Sequence, residues 1–64
     1  MNNVRVLRDE KGWTVRQLAE RAGIPWQTVT SYEHGTEPAL SRARKVAKAF
    51  NKPLDKVFPP AVEG

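Results

Sequence analysis

The apolar residues of this chain recur at helical spacing, and the clearest run lies between two helix-boundary signals. Thr14 is of a type that caps helices, and Gln17 three positions later completes a Thr-x-x-Gln capping box. Gly23 then acts as a stop, because glycine adopts a left-handed backbone at little cost. The apolar residues in between lie at i, i+3, i+4 and i+7, as Val15, Leu18, Ala19 and Ala22. The pattern therefore predicts a helix over 15–22.

A second helix is predicted directly after a tight turn. Pro25 has the fixed backbone angle of a first helical turn, and the helix runs to about Glu33 before Gly35 ends it. Val29 and Tyr32 are expected to face inward. The outward face carries Trp26, Gln27, Thr30 and Ser31. Two helices, a short glycine-containing turn and a polar outer face on the second helix together predict a helix-turn-helix.

The segment before this pair predicts a first helix. Val4 and Leu7 lie three positions apart and are expected to point into the core. Asn3 is placed to cap this helix, which ends at Lys11. Trp13 follows, and a core position beneath the first two helices is favoured over an exposed one that contacts a partner.

The second half of the chain predicts a longer helix and a short one. The longer helix begins near Leu40 or Ser41 and stops at Asn51. Its buried stripe is the most regular in the chain and consists of Ala43, Val46, Ala47 and Phe50. A short turn of helix is expected over 54–58, before two prolines. We therefore expect an all-α domain over residues 1–58 and a C-terminal tail over 59–64.

Length and composition restrict the class of protein. The 64 residues make one domain with a small core, and the absence of cysteine excludes disulfides and thiolate metal sites. No apolar run approaches the ~20 residues of a membrane span, and the N-terminus lacks the apolar core of a signal peptide. We therefore expect a soluble, cytoplasmic protein that does not enter a membrane.

The net charge of +4 is distributed unevenly. Residues 24–38 carry two acids and no Lys or Arg, whereas residues 39–52 carry five basic residues and no acid. The five are Arg42, Arg44, Lys45, Lys48 and Lys52. A basic flank beside a polar reading face suits a nucleic acid, whose backbone is bound by one element and whose bases are read by another. The basic helix can equally serve only to keep a small domain soluble.

Several short motifs, taken in order, resemble the Cro/repressor family of helix-turn-helix proteins, the xenobiotic-response-element type. They are Leu7-Arg8, Gly12-Trp13-Thr14, Leu18-Ala19, Ala22-Gly23-Ile24, Thr28-Val29, Tyr32-Glu33-His34-Gly35 and Pro38. Leu40, residues 46–50 and residues 54–58 resemble the family's fourth and fifth helices. The resemblance covers residues 3–58 and implies a compact five-helix, lambda-repressor-like fold. It also implies a sequence-specific transcriptional regulator, by preference a repressor, that binds double-stranded DNA.

The resemblance assigns roles to particular residues. An arginine at the position of Arg8 makes a largely buried ion pair with the glutamate that closes the recognition helix, here Glu33. The recognition helix enters the major groove, where residues near its start contact bases. Separately from the resemblance, the positions of seven residues predict phosphate contacts: Thr14, Val15, Arg16, Pro25, Thr28, His34 and Arg42. His34 can equally be a plain solvated side chain.

Three positions depart from the family's pattern. Val15 stands where glutamine is usual, and its side chain can neither bind a phosphate nor brace the recognition helix, so Arg16 or Arg21 is expected to supply the charge. Pro25 replaces the usual Ser or Thr cap, and Glu37 lies in a loop that is often basic. Backbone N–H groups at the helix start can still bind a phosphate.

Gln27 is the leading candidate for reading a base, because its amide can both donate to and accept from adenine. Trp26 has two expected positions, either against thymine methyls and sugars or packed back on helix 2. Thr30 and Ser31 share this face and can reach bases or the far backbone. These side chains are short and neutral, which favours A·T-rich steps over an arginine–guanine code.

Other functional classes have less support. His34 is the only histidine and has no second ligand in view, so we expect no metal site, no cofactor, no small-molecule substrate and no enzymatic activity. The alternative function is a protein-interaction module, such as an antitoxin or a co-activator component, which the neutral face and Trp26 permit. DNA binding weakens steeply with salt, whereas a contact centred on tryptophan does not.

One domain of this size reads only a few base pairs, so a two-fold homodimer on a pseudo-palindromic operator is expected. The spare apolar residues for a dimer surface are Leu54, Val57, Phe58 and Val62. Because so few side chains cannot cover the ~1,600 Å² of a standard interface, we expect the dimer to be weak in solution.

Overall fold

A computed structural model describes residues 2–60, and over this range the chain forms five α-helices and no strand. The helices are α1 (Val4–Lys11), α2 (Val15–Ala22), α3 (Trp26–Glu33), α4 (Leu40–Phe50) and α5 (Leu54–Val57). The expected all-α, five-helix fold is thereby confirmed, although α5 ends one residue earlier than predicted. Within residues 2–60, every helix is too short or too polar to cross a membrane.

The ends of α2 follow from local chemistry. The Gln17 N–H donates to Thr14 Oγ1 at 3.1 Å, and the Thr14 N–H donates to Gln17 Oε1 at 2.7 Å, so the predicted capping box is confirmed. Gly23 ends the helix with φ 71°, a left-handed conformation that a side chain would disfavour. These two signals fix α2 as an eight-residue helix.

The core takes side chains from every helix. The largest of those that are fully buried are Phe50, Leu18, Val4, Val29, Val46 and Val57. Helix α2 packs against both α3 and α4, while α1 contacts α3 and α5 contacts α4. Burial of each such side chain is worth about 1.5–3 kcal/mol, so the helices stabilise one another rather than standing alone. The inner face of α3 carries Val29 and Tyr32, as predicted.

Trp13 lies at the edge of this core, in the position that the sequence favoured. Its ring stacks on that of Phe50 with centroids 5.6 Å apart, and the Arg21 guanidinium carbon lies 4.6 Å from the Trp13 centroid. Arg21 lies near the end of α2, and Arg16 is the basic residue in its first turn.

The hydrogen bonds of Asn2 and Asn3 differ from the predicted capping of α1 by Asn3. Asn3 occupies the cap position of α1, but its side chain makes no capping bond there. Its Nδ2 donates instead to the Lys56 carbonyl at 2.8 Å, and its N–H donates to the Val57 carbonyl at 2.9 Å. Asn2 Oδ1 accepts from the Val4 N–H at 3.1 Å and so supplies the cap. The prediction that Asn3 caps α1 is therefore wrong, because the Asn3 side chain binds the end of α5.

The apolar residues of α5 are used within the molecule. Val57 is fully buried, so its assignment to a dimer surface is wrong. Leu54 and Phe58 are half-buried against the core, and the Phe58 ring meets Tyr32 edge-on at 5.8 Å. Val62, the fourth residue predicted for that surface, lies outside the described residues.

Candidate nucleic-acid interface

The turn between α2 and α3 fixes how the two helices meet. The Gly23 and Ile24 N–H groups both donate to the Ala19 carbonyl, at 2.9 and 3.1 Å. Ile24 is buried at the corner, and Pro25 follows with an extended backbone at the cap position of α3. The start of α3 is therefore presented at the surface while its inner face is anchored.

After Trp26, the outer face of α3 carries uncharged polar side chains. Gln27 and Ser31 are exposed and lie four positions apart, so they share one side of the helix. Thr28 and Thr30 are half-buried beside them. No charged side chain lies on α3 before Glu33, so this face can approach base edges without a charge to desolvate.

Trp26 packs back towards α2. The Arg16 guanidinium carbon lies 5.5 Å from the centroid of its ring. The two side chains line a shallow cavity of about 350 Å³ with Ala19, Glu20, Gly23 and Ile24. Trp26 nevertheless stays 42% exposed, so one part of the indole faces solvent at the start of α3.

The starts of α2 and α3 carry backbone donors. Val15 has its side chain half-buried against the core, so only its N–H can serve a phosphate. Pro25 has no N–H, so it can touch a phosphate only through its ring, and the donors there are the N–H groups of the next residues. Thr14 uses its hydroxyl oxygen to accept from Gln17, which leaves the hydroxyl proton for another acceptor.

A largely buried ion pair holds α3 against α1. Arg8 Nε donates to Glu33 Oε2 at 2.8 Å and Arg8 Nη2 donates to Glu33 Oε1 at 3.1 Å. The Arg8 and Glu33 side chains are only 15% and 10% exposed. Arg8 Nη1 also donates to the Trp13 carbonyl at 2.9 Å. Chiefly through the hydrogen bond to Glu33, the pKa of Arg8 is raised above its usual value, so this arginine stays charged.

The far end of α3 is also held by side chains. Asn2 Nδ2 donates to the Tyr32 carbonyl at 2.7 Å, a contact across thirty positions of sequence that the helical pattern did not reveal. His34 Nδ1 donates to the Thr30 carbonyl at 2.8 Å. The remaining ring nitrogen of His34 can therefore donate to a phosphate only when the ring is protonated.

The basic residues of α4 and the loop after it form an exposed set of Arg42, Arg44, Lys45, Lys48 and Lys52. Within residues 2–60, none of them is in an ion pair. They are thus available to a polyanion. Over the same residues, no group of three His, Asp or Glu side chains is placed to hold a metal ion.

Comparison with known proteins identifies the family. The helix-turn-helix family model matches residues 4–57. The HTH-type transcriptional regulator YgzD of Bacillus subtilis is 38% identical over 58 residues, which cover 89% of this chain and 88% of that protein. An HTH-type transcriptional regulator of Archaeoglobus fulgidus is 32% identical over 56 residues, which cover 86% of this chain and 80% of that protein.

Other relatives are much longer. An HTH-type transcriptional regulatory protein of Halorubrum lacusprofundi is 35% identical over 47 residues, and the match covers 73% of this chain but 15% of that protein's length. The chain therefore spans most of some relatives and a small part of others. The five helices, the α2–α3 geometry and these matches place the chain in the Cro/repressor-type helix-turn-helix family of DNA-binding transcriptional regulators.

Proposed function

We propose that this domain inserts α3 into the major groove of an operator and represses transcription by occluding it. The observation that carries the proposal is the exposed polar face of α3, whose C-terminal end is held by Arg8–Glu33 and by Asn2. A reading helix must be held rigidly, because a base contact is lost when the side chain is misplaced by about 1 Å. Gln27 is the principal reader, and Thr30 and Ser31 extend the same face along the groove.

Phosphate contacts position this helix. The N–H groups at the starts of α2 and α3 point outward with the positive end of each helix dipole, and Thr14 adds a hydroxyl. Arg16 and Thr28 lie beside these starts, and Arg42 lies in the first turn of α4. His34 joins them when its ring is protonated. These contacts carry affinity for DNA of any sequence, whereas α3 carries the sequence preference.

The protein acts on DNA as a pair of copies, because one recognition helix reads too few base pairs for a unique site. With Val57 in the core, the apolar residues beside α5 that can meet a partner are half-buried Leu54 and Phe58 and the 56% exposed Leu40. They line one groove of about 550 Å³ together with Pro59 and Pro60. So small a surface gives a dimer that forms on the operator and dissociates free in solution.

Selection of bound fragments from random DNA, followed by affinity measurements on the selected site, tests this function. We expect a pseudo-palindrome with half-sites about 10 base pairs apart, protected by two copies. Affinity should fall by about 10³–10⁵-fold between roughly 50 and 200 mM salt. Failure to select any sequence would refute operator reading. Protection of a single half-site by one copy at full affinity would refute the dimer.

A further inference from the structure

Arg16 and Trp26 form a pair across the α2–α3 turn. Their separation of 5.5 Å, from guanidinium carbon to ring centroid, lies within the ~6 Å range of a cation–π interaction. Glu20 lies one helical turn from Arg16 and lines the same cavity, yet within residues 2–60 Arg16 is in no ion pair. The guanidinium thus lies over the indole rather than beside the nearby carboxylate.

The Arg16–Trp26 pair lies at the start of α2, where a positive charge can bind a phosphate. Arg16 is the second residue of α2, and Val15 before it has an apolar, half-buried side chain, so Arg16 is the charge at this helix start. A free arginine loses side-chain conformational freedom when it is immobilised on a partner. An arginine already held on a flat aromatic face has lost part of that freedom beforehand.

Building on the proposed function, we propose that Trp26 is a positioning residue and not a reader of bases. Its indole holds the Arg16 guanidinium at the start of α2, where Arg16 binds a phosphate that flanks the bases contacted by Gln27. Trp26 thereby couples the phosphate-binding start of α2 to the base-reading helix α3.

The chain contains a matched control for this pair. Arg21 lies over Trp13 with its guanidinium carbon 4.6 Å from the ring centroid. It is five residues after Arg16 on α2, which places it about 140° around the helix. Arg21→Ala and Arg16→Ala remove the same charge and the same kind of aromatic contact, but only the aromatic partner of Arg16 lies on α3.

The contact between Arg16 and the Trp26 indole is tested in the free protein by nuclear magnetic resonance. The indole ring current should shift the Arg16 side-chain Nε–H resonance upfield, and Trp26→Leu should abolish that shift while the backbone spectrum stays folded. Arg21→Ala should leave the Arg16 resonance in place. An Arg16 resonance at the ordinary arginine position would overturn the inference without any reference to DNA.

The proposed contact of Arg16 with a DNA phosphate is tested on the selected DNA site. Arg16→Ala should reduce the slope of log affinity against log salt by about 0.9, and Arg21→Ala should leave it unchanged. Trp26→Leu should weaken selected and random DNA alike by about two- to fivefold, the range of one exposed cation–π contact. The double variant Arg16→Ala with Trp26→Leu should bind DNA no more weakly than Arg16→Ala alone. The consensus selected by Trp26→Leu should be that of the wild type.

Three outcomes separate the possible errors. A consensus altered by Trp26→Leu would make Trp26 a base reader. Losses that add in the double variant would show that Trp26 acts independently of Arg16. Either result would overturn this inference while leaving operator recognition intact. Wild-type protein that binds no DNA would refute the proposed function and this inference together.

Discussion

Removal of either partner of the Arg8–Glu33 ion pair is predicted to destabilise the domain strongly. Glu33→Ala leaves Arg8 with the Trp13 carbonyl at 2.9 Å and with Asp9 at 3.6 Å. Arg8→Ala leaves a 10% exposed carboxylate with no other ion-pair partner in residues 2–60 and also removes the bond to Trp13. Arg8→Ala is therefore expected to cost more than Glu33→Ala.

The magnitude follows from burial. Breaking a buried pair by deleting one partner costs about 3–5 kcal/mol, whereas an exposed pair is worth about 0–1 kcal/mol. With both side chains at 15% exposure or less, we expect about 3 kcal/mol for Glu33→Ala and about 4 kcal/mol for Arg8→Ala. A domain of 64 residues has a stability of roughly 3–10 kcal/mol, so the larger loss approaches complete unfolding.

Urea unfolding followed by far-ultraviolet circular dichroism measures these losses. The double variant Arg8→Ala with Glu33→Ala should cost far less than the sum of the two single losses, because no buried charge is left unpaired. Arg5→Ala, at an exposed arginine of the same helix, should change stability by less than about 0.5 kcal/mol. If Arg8→Ala does not fold, Glu33→Gln supplies the single-site value.

The contribution of the Arg8–Glu33 pair to stability also depends on pH. The raised pKa of Arg8 means that its contribution to stability is fully present at neutral pH and is lost as the pH rises through that pKa, in strong alkali. Losses that add between the two sites, or single losses below about 0.5 kcal/mol, would refute the idea that this pair locks α3 in place.

Four further substitutions probe other parts of the molecule. Thr14→Ala should cost about 1 kcal/mol in urea unfolding, since it removes the hydroxyl that accepts from the Gln17 N–H; an unchanged midpoint would contradict the capping role. Asn2→Ala should cost about 1–3 kcal/mol for two lost hydrogen bonds and should speed hydrogen exchange near the end of α3, and equal exchange rates would argue against that anchor. Arg42→Ala and Lys45→Ala should each weaken selected and random DNA alike and reduce the salt slope by about 0.9 wherever the residue meets a phosphate, while an altered consensus would show that α4 reads bases.

The helices were predictable where their signals are local. The capping box of α2, the glycine stop at residue 23 and the regular stripe of α4 each depend on residues within one or two turns, and the structure has all of them. The ion pair between Arg8 and Glu33 was expected only from family resemblance, because twenty-five positions separate the partners and no spacing rule connects them.

What could not be predicted depends on how helices are packed. The sequence favoured Asn3 as the cap of α1, and only the proximity of α3 and α5 decides that Asn3 binds α5 while Asn2 binds α3. Helix α5 is four residues long, so the pattern could not tell that Val57 points into the core. The Arg16–Trp26 contact depends on the angle between α2 and α3, which no apolar spacing encodes.

The most direct measurement of the central claim compares the DNA consensus selected by wild type, Gln27→Ala and Arg42→Ala. Gln27 is exposed at the start of α3 and can make a two-point contact with a base edge. Gln27→Ala should lose preference at one base pair in each half-site, with a cost of about 1–3 kcal/mol on the preferred sequence and almost none on random DNA. Arg42→Ala should keep the wild-type consensus. A consensus unchanged by Gln27→Ala and altered by Arg42→Ala would show that α3 is not the reading helix.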